Sequence, residues 1–199
     1  MKILSKLQTK QYTSENLKFF EKKNNNIFST KVLAEIIVFV ALAGALAIVS
    51  RSIFGLPEGG SINIGMVPIF WLALRRGPKI GIAAGVVFGL VDLVIEFSVV
   101  NPIQFVLDYP LAFACLGLAG FFYKFKTVGP VIGVAVGGTA RFVCHFVSGV
   151  VYFSSYAPPG MSPVVYSIVY NGTYMLPSIV ICAAIIMILQ KSKALNLYL

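Results

Sequence analysis

The chain has 199 residues, of which 58% are hydrophobic and only 12% charged, with a mean hydropathy of +0.87, a balance too apolar for a water-facing globule. The formal charge of +9 makes no case for a nucleic-acid surface, because seven of the sixteen Lys and Arg residues lie in the first 31 positions and the excess belongs to tails and loops. An all-α integral membrane protein is expected, and its charges set orientation.

Residues 1–30, "MKILSKLQTKQYTSENLKFFEKKNNNIFST", are polar, rich in Lys and Asn, and lack the apolar core of a signal peptide. They read as a polar cytoplasmic N-terminal extension ahead of a transmembrane domain over 31–193. Six apolar segments follow, at 33–53, 63–74, 79–97, 103–123, 129–153 and 164–189, which the length of ~20 residues per crossing turns into six spans. The first carries Ala41 and Ala45, a small-xxx-small face that suits packing within the bundle or close docking of another membrane protein. The second, "INIGMVPIFWLAL", contains Pro68 and is short, so it predicts a thin helix shielded from lipid by its neighbours.

Charged residues inside spans are costly and face a cavity, a partner or water. In the third segment Asp92 and Glu96 share a helix face, and Asp108, followed by Tyr109, opens the fourth. Along the fifth, Arg141, His145, Ser148 and Tyr152 form one polar stripe at helical spacing on an otherwise apolar helix, which predicts an inward face. Arg141 and His145 there either join helices or contact a ligand, and Arg141, one turn deeper, is expected to hold a carboxylate such as Asp92 or Glu96 in place; Gly133, Gly137 and Gly138 read as packing positions. A second stripe, Ser167, Asn171 and Tyr174, starts the sixth segment. Asn171-Gly-Thr173 matches a glycosylation sequon, but its depth in a span argues against that use. Cys115, Cys144 and Cys182 lie in apolar runs without metal or disulfide spacing, and no nucleophile–base pair starts a catalytic mechanism, so neither a metal, a cofactor nor an enzyme is expected.

Placing both termini in the cytoplasm puts Arg75, Arg76, Lys79, Lys124, Lys126, Lys191 and Lys193 inside with the N-terminal cluster, and leaves only Arg51 in the outer loops. In that orientation Asp108, His145 and Asn171 lie roughly 9, 13 and 12 Å below the outer ends of their helices. One layer then holds a carboxylate, an imidazole and an amide, with Tyr109, Tyr152, Phe153 and Tyr166 nearby. Such a set suits a small cationic or amphipathic heteroaromatic ligand, the carboxylate pairing the charge and the rings stacking. Unrelated helix–helix contacts are the alternative.

The chain resembles the thiamine-specific S components of energy-coupling factor (ECF) vitamin transporters from about residue 33 to 190. The resemblance is carried by "LAEIIVFVALAGAL", "INIGMVPIFWLALRRGPKIGIAAG", "FVLDYPLAFACLGLAG" and "ARFVCHFVSGVVYFSSYAPPGMSPVVYSIVYNG", the last two being the most specific. It implies a six-helix multi-pass protein of the bacterial cell membrane that captures thiamine from outside and docks on a shared ECF transmembrane coupling protein driven by two ATPases. It implies that Asp108, where the family more often has Glu, pairs with the thiamine cation. Tyr109, His145, Gly149, Tyr166 and Asn171 would line the pocket, Phe153 would stack on the ligand where a tryptophan is commoner, and the Ala41/Ala45 face would dock the coupling protein. A stand-alone proton-coupled thiamine transporter is the competing reading, and the chain has no internal repeat to support its alternating access.

Overall fold

The computed structural model describes residues 27–56, 59–125 and 128–192, so residues 1–26 of the expected extension, with Lys126 and Lys193, lie outside the described residues. The chain divides into two units, Met1–Glu35 and Ile36–Leu199, and the helical bundle from Ile36 onward forms the second. Among the described residues there are six helices: α1 (Thr30–Phe54), α2 (Met66–Arg76), α3 (Pro78–Ile95), α4 (Pro102–Phe122), α5 (Gly129–Tyr152) and α6 (Pro163–Lys191). Their starts follow from local chemistry. α3 to α6 each carry Pro at the first or second position, where a missing N–H is harmless. The Asn101 side chain caps α4 by accepting from Ile103 N, and Ser162 caps α6 by accepting from Val165 N. Between α2 and α3 the chain turns at Gly77, whose φ of 87° no other residue type adopts cheaply.

Five of the six helices are long and apolar enough to cross a membrane. The exception is α2, whose 11 residues span ~16 Å, about half the hydrocarbon thickness. Every residue from Met66 to Leu74 is buried, so the neighbouring helices cover it on all sides, as its sequence requires. Outside the bundle the picture inverts: Ile37 and Ile53 on α1, Val94 on α3 and Val180 and Ile188 on α6 are exposed, the surface of a protein whose solvent is lipid.

Small residues bring the helices together. Added Cβ atoms at Gly85 and Gly89 of α3 would fall 2.8 Å from the Phe113 carbonyl carbon and 2.7 Å from that of Tyr109, so α4 packs backbone to backbone on this face. Gly133 lies against Ala119, Gly137 against Phe70 and Gly138 against Ile179, the packing duty expected of them. On α1, Ala43 and Ala47 turn inward, whereas Ala41 and Ala45 are exposed. By chain direction, Arg75, Arg76, Lys79, Lys124 and Lys191 gather at one end of the bundle; Arg51 and a polar cavity lie at the other.

Candidate functional site

The site is built around an irregularity in α4. Pro110 has no N–H and cannot maintain an unbroken helical ladder, and the turn Leu107–Leu111 that contains it is a π-helix. Asp108 and Tyr109 sit on this widened turn, pressed on α3 at Gly89. Asp108 Oδ2 accepts from Ser148 Oγ at 2.6 Å and from Gln104 Nε2 at 2.7 Å, and Oδ1 lies 3.0 Å from His145 Nδ1. The carboxylate of α4 and the imidazole of α5 thus share one layer, as their helix depths predict. Asn171 of α6 joins them: its Nδ2 donates to the Ser167 carbonyl at 2.9 Å and reaches the His145 carbonyl at 3.4 Å, and its Oδ1 accepts from Tyr174 Oη at 2.6 Å.

These groups line a cavity at the end of the bundle opposite the basic cluster, and all seven expected ligand-contact residues, Asp108, Tyr109, His145, Gly149, Phe153, Tyr166 and Asn171, are on its wall. Three of them have first duties inside the protein. The Tyr109 hydroxyl donates to the Glu96 carbonyl and accepts from Ser98 N, fixing the α3–α4 connection while its ring faces the cavity. Gly149 is where α5 meets α6, since a Cβ there would collide with Ser167 and come within 3.2 Å of Asn171 Nδ2. The Asn171 amide is already satisfied at both ends.

The stripe on α5 shortens by one residue. Arg141, His145 and Ser148 reach the cavity, but Tyr152 is not on its wall; the helix ends there, and Phe153, leaving it at φ −117° and ψ 18°, turns in instead. Arg141 does not ion-pair with Glu96, an option its position leaves open. Glu96 instead pairs with Arg51 and accepts from Gly60 N at 2.6 Å. The Arg141 guanidinium lies over the Phe113 ring, 3.8 Å from its centroid, with Nε 3.2 Å from His145 Nε2.

The connection between α1 and α2 is the part that motif reading missed. Gly59, Gly60, Ser61 and Asn63 line the cavity, with Gly59 O accepting from Tyr170 Oη and Asn63 N donating to Ser178 Oγ. Nothing local announces those partners. Gln104, in contrast, was detectable, being the polar residue one turn before Asp108. Among the described residues no three His, Cys, Asp or Glu side chains are grouped as metal ligands.

An apolar helical bundle with a polar, carboxylate-bearing cavity sunk into one end and rimmed by aromatic rings defines a class: a multi-pass membrane protein that handles a small molecule. The thiamine transporter protein family (Thia_YuaJ) matches residues 33–197, and the chain belongs to it. It is 39% identical over 170 residues to thiamine transporter ThiT of Bacillus subtilis, covering 79% of this chain and 88% of that one. To ThiT of Lacticaseibacillus paracasei it is 36% identical over 144 residues, 64% of this chain and 72% of the relative. A solved structure of ThiT from Listeria monocytogenes superposes with a TM-score of 0.73 at 30% identity, covering 82% of this chain and 94% of the other. The family is one of bacterial membrane transporters, not of enzymes.

Proposed function

We infer that this chain is the thiamine-capturing S component of an ATP-driven ECF uptake transporter, with residues 1–30 a cytoplasmic extension and 31–193 the substrate-binding domain. The observation that carries the reading is Asp108, a carboxylate held by two protein donors and the His145 ring on the wall of an aromatic-rimmed cavity. Three carboxylates, Asp92, Glu96 and Asp108, stand against Arg141 in the wall and Arg51 behind Glu96, which leaves one negative charge when all are ionised. A monocation such as thiamine balances it, with Phe153 and Tyr166 offering ring faces. Counting α2 as a sixth, thin span and placing the basic end of the bundle inside puts both termini in the cytoplasm and opens the cavity outward.

The exposed Ala41 and Ala45 on α1 supply a smooth face for a shared ECF transmembrane coupling protein, which two ECF ATPases would drive. The purified chain alone, in detergent, is expected to bind thiamine. Ala41→Leu with Ala45→Leu is expected to abolish ATP-dependent uptake while leaving that binding intact. No binding by the isolated chain would sink the capture role. Accumulation driven by a proton gradient in vesicles lacking any ATPase would put a stand-alone secondary transporter in its place.

A further inference from the structure

Arg141 sits one helical turn before His145 on α5, buried to 5% exposure, with its Nε 3.2 Å from His145 Nε2. A guanidinium is permanently protonated and has no acceptor, so this contact requires a lone pair on Nε2. A neutral imidazole carries one ring proton, which must then be on Nδ1, and Nδ1 faces Asp108 Oδ1 at 3.0 Å. Each donor–acceptor step therefore runs the same way, from Arg141 to His145 to Asp108. An imidazolium would set its Nε2–H against the Arg141 Nε–H, two donors with nothing between them.

We propose that Arg141 is a positioning residue: through Nε it holds the chain's only histidine as the neutral tautomer protonated at Nδ1, and so leaves Asp108 an unneutralised negative charge. A carboxylate beside an unrestrained histidine would instead form an internal ion pair and have no net charge to offer a ligand. The other titratable groups around His145 do not supply an acceptor to Nε2. Tyr174 of α6 meets the ring edge-on, 6.2 Å between centroids, and its hydroxyl is given to Asn171. Asp92 of α3 acts electrostatically on Arg141, and Glu96 of α3 is held by Arg51 and Gly60. Phe113, beneath the guanidinium, keeps Arg141 in place. The value of this arrangement for capture rests on the reading of Asp108 as the partner of a cation; the tautomer itself does not.

Because the chain has one histidine, nitrogen-15 histidine labelling gives a magnetic resonance spectrum of a single imidazole. In the full chain in lipid nanodiscs the expected pattern is one bare nitrogen, Nε2, and one protonated nitrogen, Nδ1. Arg141→Met is expected to lose the bare-nitrogen signal as both positions take a proton, while Arg141→Lys, again a donor only, keeps it. An imidazolium or an Nε2-protonated ring in the unsubstituted protein overturns the proposal, and so does an unchanged pattern in Arg141→Met. If Arg141→Met does not fold, the spectra of the unsubstituted chain and of Arg141→Lys still decide. Thiamine titrated into Asp108→Asn separates the two ideas. Undiminished binding there removes the cation pairing and leaves the tautomer standing; a wrong tautomer with Asp108-dependent binding removes only the role of Arg141.

Discussion

At the end of the bundle that carries Arg75, Arg76 and Lys124, helices α2 to α5 meet glycine against backbone; at the cavity end α4, α5 and α6 meet through polar side chains. At the first end Gly117 of α4 fits against Gly81 and Ile82 of α3, and Gly133 of α5 against Ala119. At the second, Asp108, His145, Ser148 and Asn171 reach one another across three helices. The first arrangement maximises contact and leaves no space, which suits helices that gain no hydrophobic driving force from associating in lipid. The second exchanges contact for directed hydrogen bonds around a space that a ligand can occupy. Stability and binding are therefore expected to separate along the bundle axis.

Gly117→Leu should have the largest effect. A Cβ at this position would lie 2.6 Å from the Gly81 carbonyl carbon and 2.7 Å from Ile82 Cα, main-chain atoms that cannot rotate away. A loss of about 3 kcal/mol or more in stability is expected, read as failure to recover monodisperse protein or a large drop in thermal midpoint. Normal folding of this variant would break the claim that the basic end is the rigid one.

Asp108→Asn comes next and should move binding far more than stability. Removing the charge while keeping the shape is expected to cost on the order of 2–5 kcal/mol in thiamine affinity, about 30-fold or more. A neutral analogue lacking the quaternary nitrogen should bind weakly to the unsubstituted protein and be nearly indifferent to the change. Equal losses for thiamine and the analogue, measured by titration calorimetry, would make Asp108 a structural residue.

Asn171→Ala sharpens the comparison because its amide serves both helix packing and the cavity wall. Its Nδ2 reaches the His145 carbonyl of α5 at 3.4 Å, while its bonds to Ser167 and Tyr174 hold it within α6 beside the cavity. Binding and thermal stability should fall together, by about 1 kcal/mol each, with the Tyr174 hydroxyl left without its acceptor. A loss confined to binding would mean that the amide turns to the ligand when thiamine enters.

The helix boundaries were legible to within three residues: segments expected at 63–74 and 129–153 are observed at Met66–Arg76 and Gly129–Tyr152. So was the layer of the cavity wall on α4 to α6, because Asp108, His145 and Asn171 are polar groups at matched depth in apolar helices; its α1–α2 part was not. The one-residue difference at the end of α5 had a visible consequence, putting Phe153 rather than Tyr152 at the cavity. Less legible was what each polar group does. Tyr109, read as a ligand contact, spends its hydroxyl on the α3–α4 connection, and Glu96 takes its partners from Arg51 and Gly60, more than thirty positions away.

Where the helices run and which of their faces are polar was determined by the sequence alone, since in lipid each helix must satisfy its own backbone and its hydropathy and periodicity are local properties. The choice among partners was made only by the tertiary structure. Arg141 had Asp92, Glu96 and His145 within plausible reach along the sequence pattern, and its Nε went to His145 over the Phe113 ring. That outcome depends on how closely α4 approaches α3 at Gly89 and on the π-turn at Pro110 that orients Asp108, distances of a few tenths of an ångström that hydrogen bonds sense and hydropathy does not.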